Sequence, residues 1–356
     1  MMRRTAIFKH DLFFEHIPDF YHVESPDRLR VIYKELARPE VAEKFVFPAW
    51  PPATEEMLKL NHTAAYVKRV AATAGQPFTS LDPDTQTSPQ SYDAACLAAG
   101  AVIKGAAMLA AGEIDNGFAL VRPPGHHAEA DRARGFCLFN NVAIGVRYAL
   151  DQLAIGRVFI IDWDLHHGNG TQNSFYDTNR VFYMSTHQYP YYPGSGGLTE
   201  VGTGRGEGFT VNIPLGGGQD DRAFGRIFRE VLVPVVRQYR PDMIMVSAGF
   251  DTYVADPLGT MAVTARGYAY MTRILLDLAA EVCGGRLLVV LEGGYNLEGL
   301  RDGVLAVLGE LAGLENCPDP RLNRLSEKAV EKLANAAVDV PVLAQVRSIA
   351  KKYWEL

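Results

Sequence analysis

The sequence is poor in cysteine, with four in 356 residues, Cys96, Cys137, Cys283 and Cys317, and no CxxC pair. That scatter argues against a disulfide framework or a thiolate metal site and suits reduced thiols in a cytoplasmic protein. A basic surplus is missing too. Lys and Arg number 35 against 41 Asp and Glu, a formal charge of −6. Cationic side chains supply most non-specific nucleic-acid affinity, so direct nucleic-acid binding is disfavoured. There is no run of about 20 strongly apolar residues of the kind that crosses a membrane. The least polar stretch, Cys96 to Gly112, is mostly Ala and Gly around Lys104 and reads as a packed helix. The apolar residues after Arg3-Arg4 break at Lys9, His10 and Asp11, too early for a secretion signal. Without GxGxxG or a Walker lysine, a nucleotide site is not expected. Neither an internal repeat nor a long Ser/Gly linker divides the chain, so residues 1–356 read as one domain. Its core is expected over about 5–311, with a helical tail over about 321–356.

Hydrophobic residues make up 48% and charged ones 21%, enough apolar material for a large core. From Phe118 onward, short β-branched runs alternate with helix-like segments, the pattern of βαβ units and a mainly parallel α/β sheet. The predicted strands are Phe118–Val121, Val158–Ile161, Val181–Met184, Met243–Val246 and Leu287–Leu291, with another at Thr5–Phe8. Helices are predicted at Asn141–Leu153, Asp221–Gln238, Thr264–Val282 and Leu297–Leu311, and Ser25 is placed to cap one running to Leu36.

Ligands of open α/β sheets bind beyond the carboxyl ends of the strands. Here those ends carry Arg122-Pro-Pro-Gly-His126-His127, Asp162-Trp-Asp164-Leu-His166-His-Gly-Asn169, Ser247-Ala-Gly-Phe-Asp251 and Glu292-Gly-Gly-Tyr295. Asp164 and His166, two apart, point to one side of an extended backbone. With Asp251 they offer two carboxylates and an imidazole, suited to Zn²⁺ or Fe²⁺ with a position left open. Taken singly, such residues more often cap segments or pack structurally. Agreement among four strand ends favours a site. His126 and His127 follow a rigid Pro-Pro-Gly turn and suit acid–base work near neutral pH, with Asp162 and Asn169 as partners that orient their rings. Tyr295 follows two glycines and is placed to donate to a carbonyl oxygen that gains charge. Gly135-Phe136 and the aromatic Tyr189–Gly194 segment can line a narrow passage for a long aliphatic stem such as an acylated lysine.

Read in order, RPPGHHAE, GFCLFNN, DWDLHHGNGTQ, SAGFDTYVADPLG and LEGGYN resemble the zinc-dependent histone deacetylase family, particularly its class II and bacterial members. The resemblance implies an arginase/deacetylase-type fold with an eight-stranded, mainly parallel sheet. It implies Zn²⁺ on Asp164, His166 and Asp251, His127 as general base, and His126 with Asp162 as an electrostatic helper. Tyr295 would polarise the acyl carbonyl, and Gly135, Phe136 and Tyr192 would shape the tunnel. A structural K⁺ is implied near Asp162, Asp164, His166, Ser185 and Thr186, and Arg28 resembles an arginine of the cavity below the metal. Class I members carry Asp where Asn169 stands. Polyamine-selective relatives carry Glu at Leu258 and a longer early insertion than Gly75–Pro89 allows. An acylated protein or peptide is thus expected as substrate over a small acylated amine, with Asp82 or Asp84 at the rim. A non-catalytic acyl-lysine binding module would not need the full set of ligands, histidines and tyrosine. Self-association is left open.

Overall fold

The computed structural model describes residues 3–17 and 22–356. In chain order the strands are β1 (Thr5–Phe8), β2 (Thr79–Asp82), β3 (Thr85–Thr87), β4 (Asn116–Ala119), β5 (Val158–Asp162), β6 (Val181–Gln188), β7 (Thr210–Leu215), β8 (Met243–Ala248) and β9 (Leu287–Leu291). Seven of them form one parallel sheet in the order β1-β4-β9-β8-β5-β6-β7, while β2 and β3 make a separate antiparallel hairpin. Every residue of β5 and β9 is buried, as their unbroken apolar sequences require when helices cover both faces. This is the arginase/deacetylase-type α/β architecture, with seven strands in the main sheet among the described residues where eight were expected. Beyond β1 the described residues make only a one-residue bridge at Val46. Pro48, Pro51 and Pro52 follow, and proline has no N–H to extend a ladder.

Other boundaries moved for physical reasons. Strand β4 lies at Asn116–Ala119, two residues before the apolar run suggested, because its ladder with β1 and β9 outweighs the poor strand propensity of Asn and Gly. Strand β7 escaped the sequence pattern; it contains Pro214 and is an edge strand, where proline is tolerated. The helix from Asp221 is interrupted by a wider turn at Phe228–Leu232 before resuming at Val233–Tyr239. Pro234 stands at the resumption and cannot donate to the preceding turn. Ser25 does not cap: the first long helix is Asp27–Leu36, with Pro26 at its cap and no side-chain bond there. Helix Ser91–Ala110 is long and apolar enough to cross a membrane by composition, and 78% of its most apolar window is buried within the protein.

The tail is helical in two pieces, Glu327–Ala334 and Leu343–Ala350, with Pro341 between them. It packs on the domain. Arg229 and Arg226 donate to the carbonyls of Ala334 and Val338, and Trp354 Nε1 donates to Gly208 O at 2.7 Å. The Trp354 indole lies edge-on to Phe182 and Phe209, each at 5.3 Å between ring centres. Replacing Trp354 with Ala should therefore lower the unfolding free energy by about 2 kcal/mol, read by urea denaturation. An unchanged midpoint would mean that the tail adds nothing to the core.

Candidate metal and catalytic site

Strands β4, β9, β8 and β5 are neighbours at the centre of the sheet. Their ladders bring the carboxyl ends level: Ala119 pairs with Val290, Val290 with Ser247, and Ser247 with Asp162. Since adjacent strands stand about 4.8 Å apart, the four loops that follow must converge. Asp164, His166 and Asp251 come together there, with donor atoms within 4.8 Å of one another. His166 Nδ1 is 3.2 Å from Asp164 Oδ1 and 3.1 Å from Asp251 Oδ2. Backbone amides fix the other oxygens, Leu165 N–H donating to Asp251 Oδ1 and Gly293 N–H to Asp164 Oδ2, both at 2.8 Å.

This donor set fits a divalent cation. Two carboxylates offset its charge, one imidazole adds nitrogen, and three protein donors leave a position open. Burial, with the charge of Asp164, pushes Asp251 up to about 7. Burial would lower His166, yet its bonds to both carboxylates raise it to about 9. Asp251 and His166 must release any proton to a cation, so affinity for one should fall as the pH falls.

The histidine pair is asymmetric. His126 Nδ1 lies 3.0 Å from Asp162 Oδ2, which also accepts from Tyr183 at 3.0 Å. Burial opposes charge on His126, but Asp164 and Asp162 outweigh it and hold the ring's pKa well above the ordinary value. His127 faces a neutral amide, with Nδ1 2.7 Å from Asn169 Oδ1. Burial pushes it well below the ordinary value, helped by His126 and His166. Two rings 4.0 Å apart thus have their pKa values pushed in opposite directions. Gly168 makes the arrangement feasible, because a Cβ there would run into the Asp162 carboxylate and the Tyr183 hydroxyl.

A cavity of about 130 Å³ leads to these groups, lined by His127, His166, Tyr192, Leu258 and Tyr295. Gly135 and Phe136 complete its wall, both at positive φ, 57° and 67°. Phe136 is held in that unfavourable region because Gly135 N–H donates to Asp84 Oδ1 and Phe136 N–H to Thr85 Oγ1. The cavity is lined by Asp84 and not by Asp82. Of the residues implied for K⁺, Ser185 pairs with Asp162 across the β5–β6 ladder, but its hydroxyl turns to His187 Nδ1 at 2.9 Å. Thr186 Oγ1 donates to the Asp162 carbonyl at 3.5 Å.

Glu292 and Asp256 went unassigned in the sequence. Glu292 accepts from the amides of Gly125 at 2.7 Å and His126 at 3.1 Å, tying the histidine loop to β9. Asp256 accepts from Leu258 at 2.9 Å, Tyr295 at 2.7 Å and Asn296 at 3.0 Å, joining the tunnel wall to the tyrosine loop. Arg28 donates to the carbonyls of Gly294 at 2.7 Å and Glu292 at 2.5 Å, and its guanidinium stands 4.9 Å over the Tyr295 ring. Glu292 and Asp256 both lie in strand-end loops, so position was a usable signal; their partners are backbone amides, which no residue pattern shows.

Residues 22–311 match the family described as the histone deacetylase domain. The chain belongs to this histone deacetylase family. It is 38% identical to a probable deacetylase of Archaeoglobus fulgidus over 99% of each chain. To histone deacetylase 18 of Arabidopsis thaliana it is 42% identical over 80% of this chain and 43% of that protein. To histone deacetylase 15 of the same plant it is 42% identical over 82% and 53%, so it spans about half the length of these plant relatives. A crystal structure described as the HDA15 HD domain superposes with a TM-score of 0.87, at 36% identity, over 99% of this chain and 95% of that one. For this deacetylase-family site, Asp251→Ala should weaken Zn²⁺ binding by at least roughly 100-fold in competition with a chelator. Wild-type affinity in that variant would show that the three donors are not a metal centre.

Proposed function

We propose that the protein hydrolyses the amide of acylated lysine side chains, on a cation held by Asp164, His166 and Asp251. One observation carries the reading: the three donors, one histidine bonded to a carboxylate and one to an amide, and Tyr295 meet at one cavity. Zn²⁺ suits the donors, with Fe²⁺ as the alternative, and when bound it would supply Lewis acidity and make water a better acid. Neutral His127, bonded through Nδ1, keeps Nε2 free to take a proton from the attacking water. The water oxygen forms a bond to the acyl carbon, and the Tyr295 hydroxyl donates to the carbonyl oxygen as charge develops there. Breakage of the C–N bond follows as His127 returns the proton to the leaving amine. His126, charged beside Asp162, stabilises negative charge without moving a proton. A K⁺ beside Asp162 and Ser185 belongs to the same proposal.

For the substrate, Phe136 and Tyr192 in the cavity wall suit an aliphatic stem, and Asp84 in the same wall offers an acceptor to a peptide N–H. Leu258 supplies no negative charge for a second amine, which favours acyl-lysine in a protein or peptide over an acetylated polyamine. Zn²⁺-loaded enzyme should turn over an acetyl-lysine peptide faster than an acetylated polyamine. Tyr295→Phe should cut kcat by roughly 100- to 1,000-fold. Polyamine-only turnover would overturn the substrate and keep the mechanism, and full activity in the variant would remove Tyr295 from it. Asn169→Asp places a carboxylate on His127 and so raises its pKa. Because the base must be neutral, the acidic limb of the kcat/KM profile should move to higher pH, and an unmoved limb would mean His127 is not the base.

A further inference from the structure

Glu129 lies two residues beyond His127, half-buried, outside the metal cluster and the cavity. Its backbone is pinned: His62 Nδ1 donates to Glu129 O at 2.9 Å, while His62 Nε2 accepts from Asn140 N–H at 3.0 Å. Its carboxylate accepts from Asn169 Nδ2 at 2.5 Å, and Asn173 Nδ2 donates to both its oxygens at 3.0 and 3.1 Å. Asn169 is therefore gripped from two sides, by Glu129 at Nδ2 and by His127 Nδ1 at Oδ1.

The two ends of an amide are not equivalent, and a carboxylate only accepts. By drawing Nδ2 toward itself, Glu129 turns Oδ1 toward His127. The carbonyl of His127 also accepts from Nδ2, but at 3.3 Å it is the weaker hold. An acceptor at Nδ1 requires the Nδ1–H tautomer, which leaves the Nε2 lone pair that a general base needs. Turned by half a revolution, the amide would present N–H to Nδ1 and favour the Nε2–H form, which cannot accept a proton there. A carboxylate at position 169 would not need this help, since both its oxygens accept.

We propose that Glu129 is a positioning residue that sets the tautomer of His127 by orienting the Asn169 amide. This rests on the reading of His127 as the base. In Zn²⁺-loaded enzyme with an acetyl-lysine peptide, Glu129→Met should lower kcat/KM by roughly 10- to 100-fold. Glu129→Gln, whose side-chain oxygen still accepts, should stay within about threefold of wild type. In an Asn169→Asp background, Glu129→Met should cost no more than about twofold further. Equal losses in both backgrounds, or no loss in the single variant, would overturn the proposal. Nitrogen NMR of ¹⁵N-histidine-labelled protein gives an activity-independent readout, with the His127 signal assigned through a His127→Asn variant. Wild type should show Nδ1–H and Glu129→Met a shift toward Nε2–H, and an unchanged tautomer would sink the idea. A shifted tautomer in a protein that hydrolyses no acyl-lysine would leave the positioning role standing and remove the functional reading instead.

Discussion

Four carboxylates, those of Asp162, Asp164, Asp251 and Glu292, share the space beyond the central strands, and none has any solvent exposure. Charges buried this way cost several kcal/mol each unless they are paired and hydrogen-bonded. Much of the local structure answers that constraint. The loops bend so that the amides of Gly125, His126, Leu165 and Gly293 point inward onto carboxylate oxygens. The same bonds hold the histidine loop, the ligand loops and the Gly293-Gly294 turn in fixed relation. The buried carboxylates are therefore also what locks the site's geometry.

A second buried layer supports the first. Glu24 sits between Arg28 and Arg122, both without solvent exposure, and accepts from Arg28 at 3.0 Å and from Arg122 at 2.7 Å. Arg122 also donates to the carbonyls of Phe13 at 2.7 Å and His16 at 3.0 Å, while Arg28 reaches the carbonyls of Glu292 and Gly294. His16, beside this group, is driven down to about 4 by burial despite the pull of Glu24, so it stays neutral and adds no further charge. The network thus ties the segment before the first helix to the turn that presents Tyr295. Its value lies in position more than in stability, since a buried ion pair seldom gains more than an apolar replacement would.

The histidine pair shows how a small difference in partner divides two identical side chains. His126 meets a carboxylate and His127 an amide, and burial then penalises charge on the one that has no anion to share it. The amide has two unlike ends, and its nitrogen is held by Glu129 at 2.5 Å and by the His127 carbonyl at 3.3 Å.

What was legible in the sequence follows from locality. Strand β9 and its Tyr295 loop, the Asp164–His166 spacing, and the two histidines after a rigid turn are all encoded within a few residues, so periodicity and strand-end position identified them. The strand count, the edge strand β7 and the broken helix at Phe228–Leu232 depend on ladder competition and on single prolines, which local pattern reads poorly. The choice of Asp84 over Asp82 rests on a bond to Gly135 across 51 residues. The sequence by itself determined the chemical inventory: two aspartates and a histidine able to hold a cation, two further histidines after a rigid turn, and a phenol after two glycines. Only the tertiary structure decided which histidine meets a carboxylate and which an amide, which aspartate reaches the cavity and what Asn169 bonds to, because those outcomes depend on burial and on hydrogen-bond partners that meet only when four strand ends are brought level.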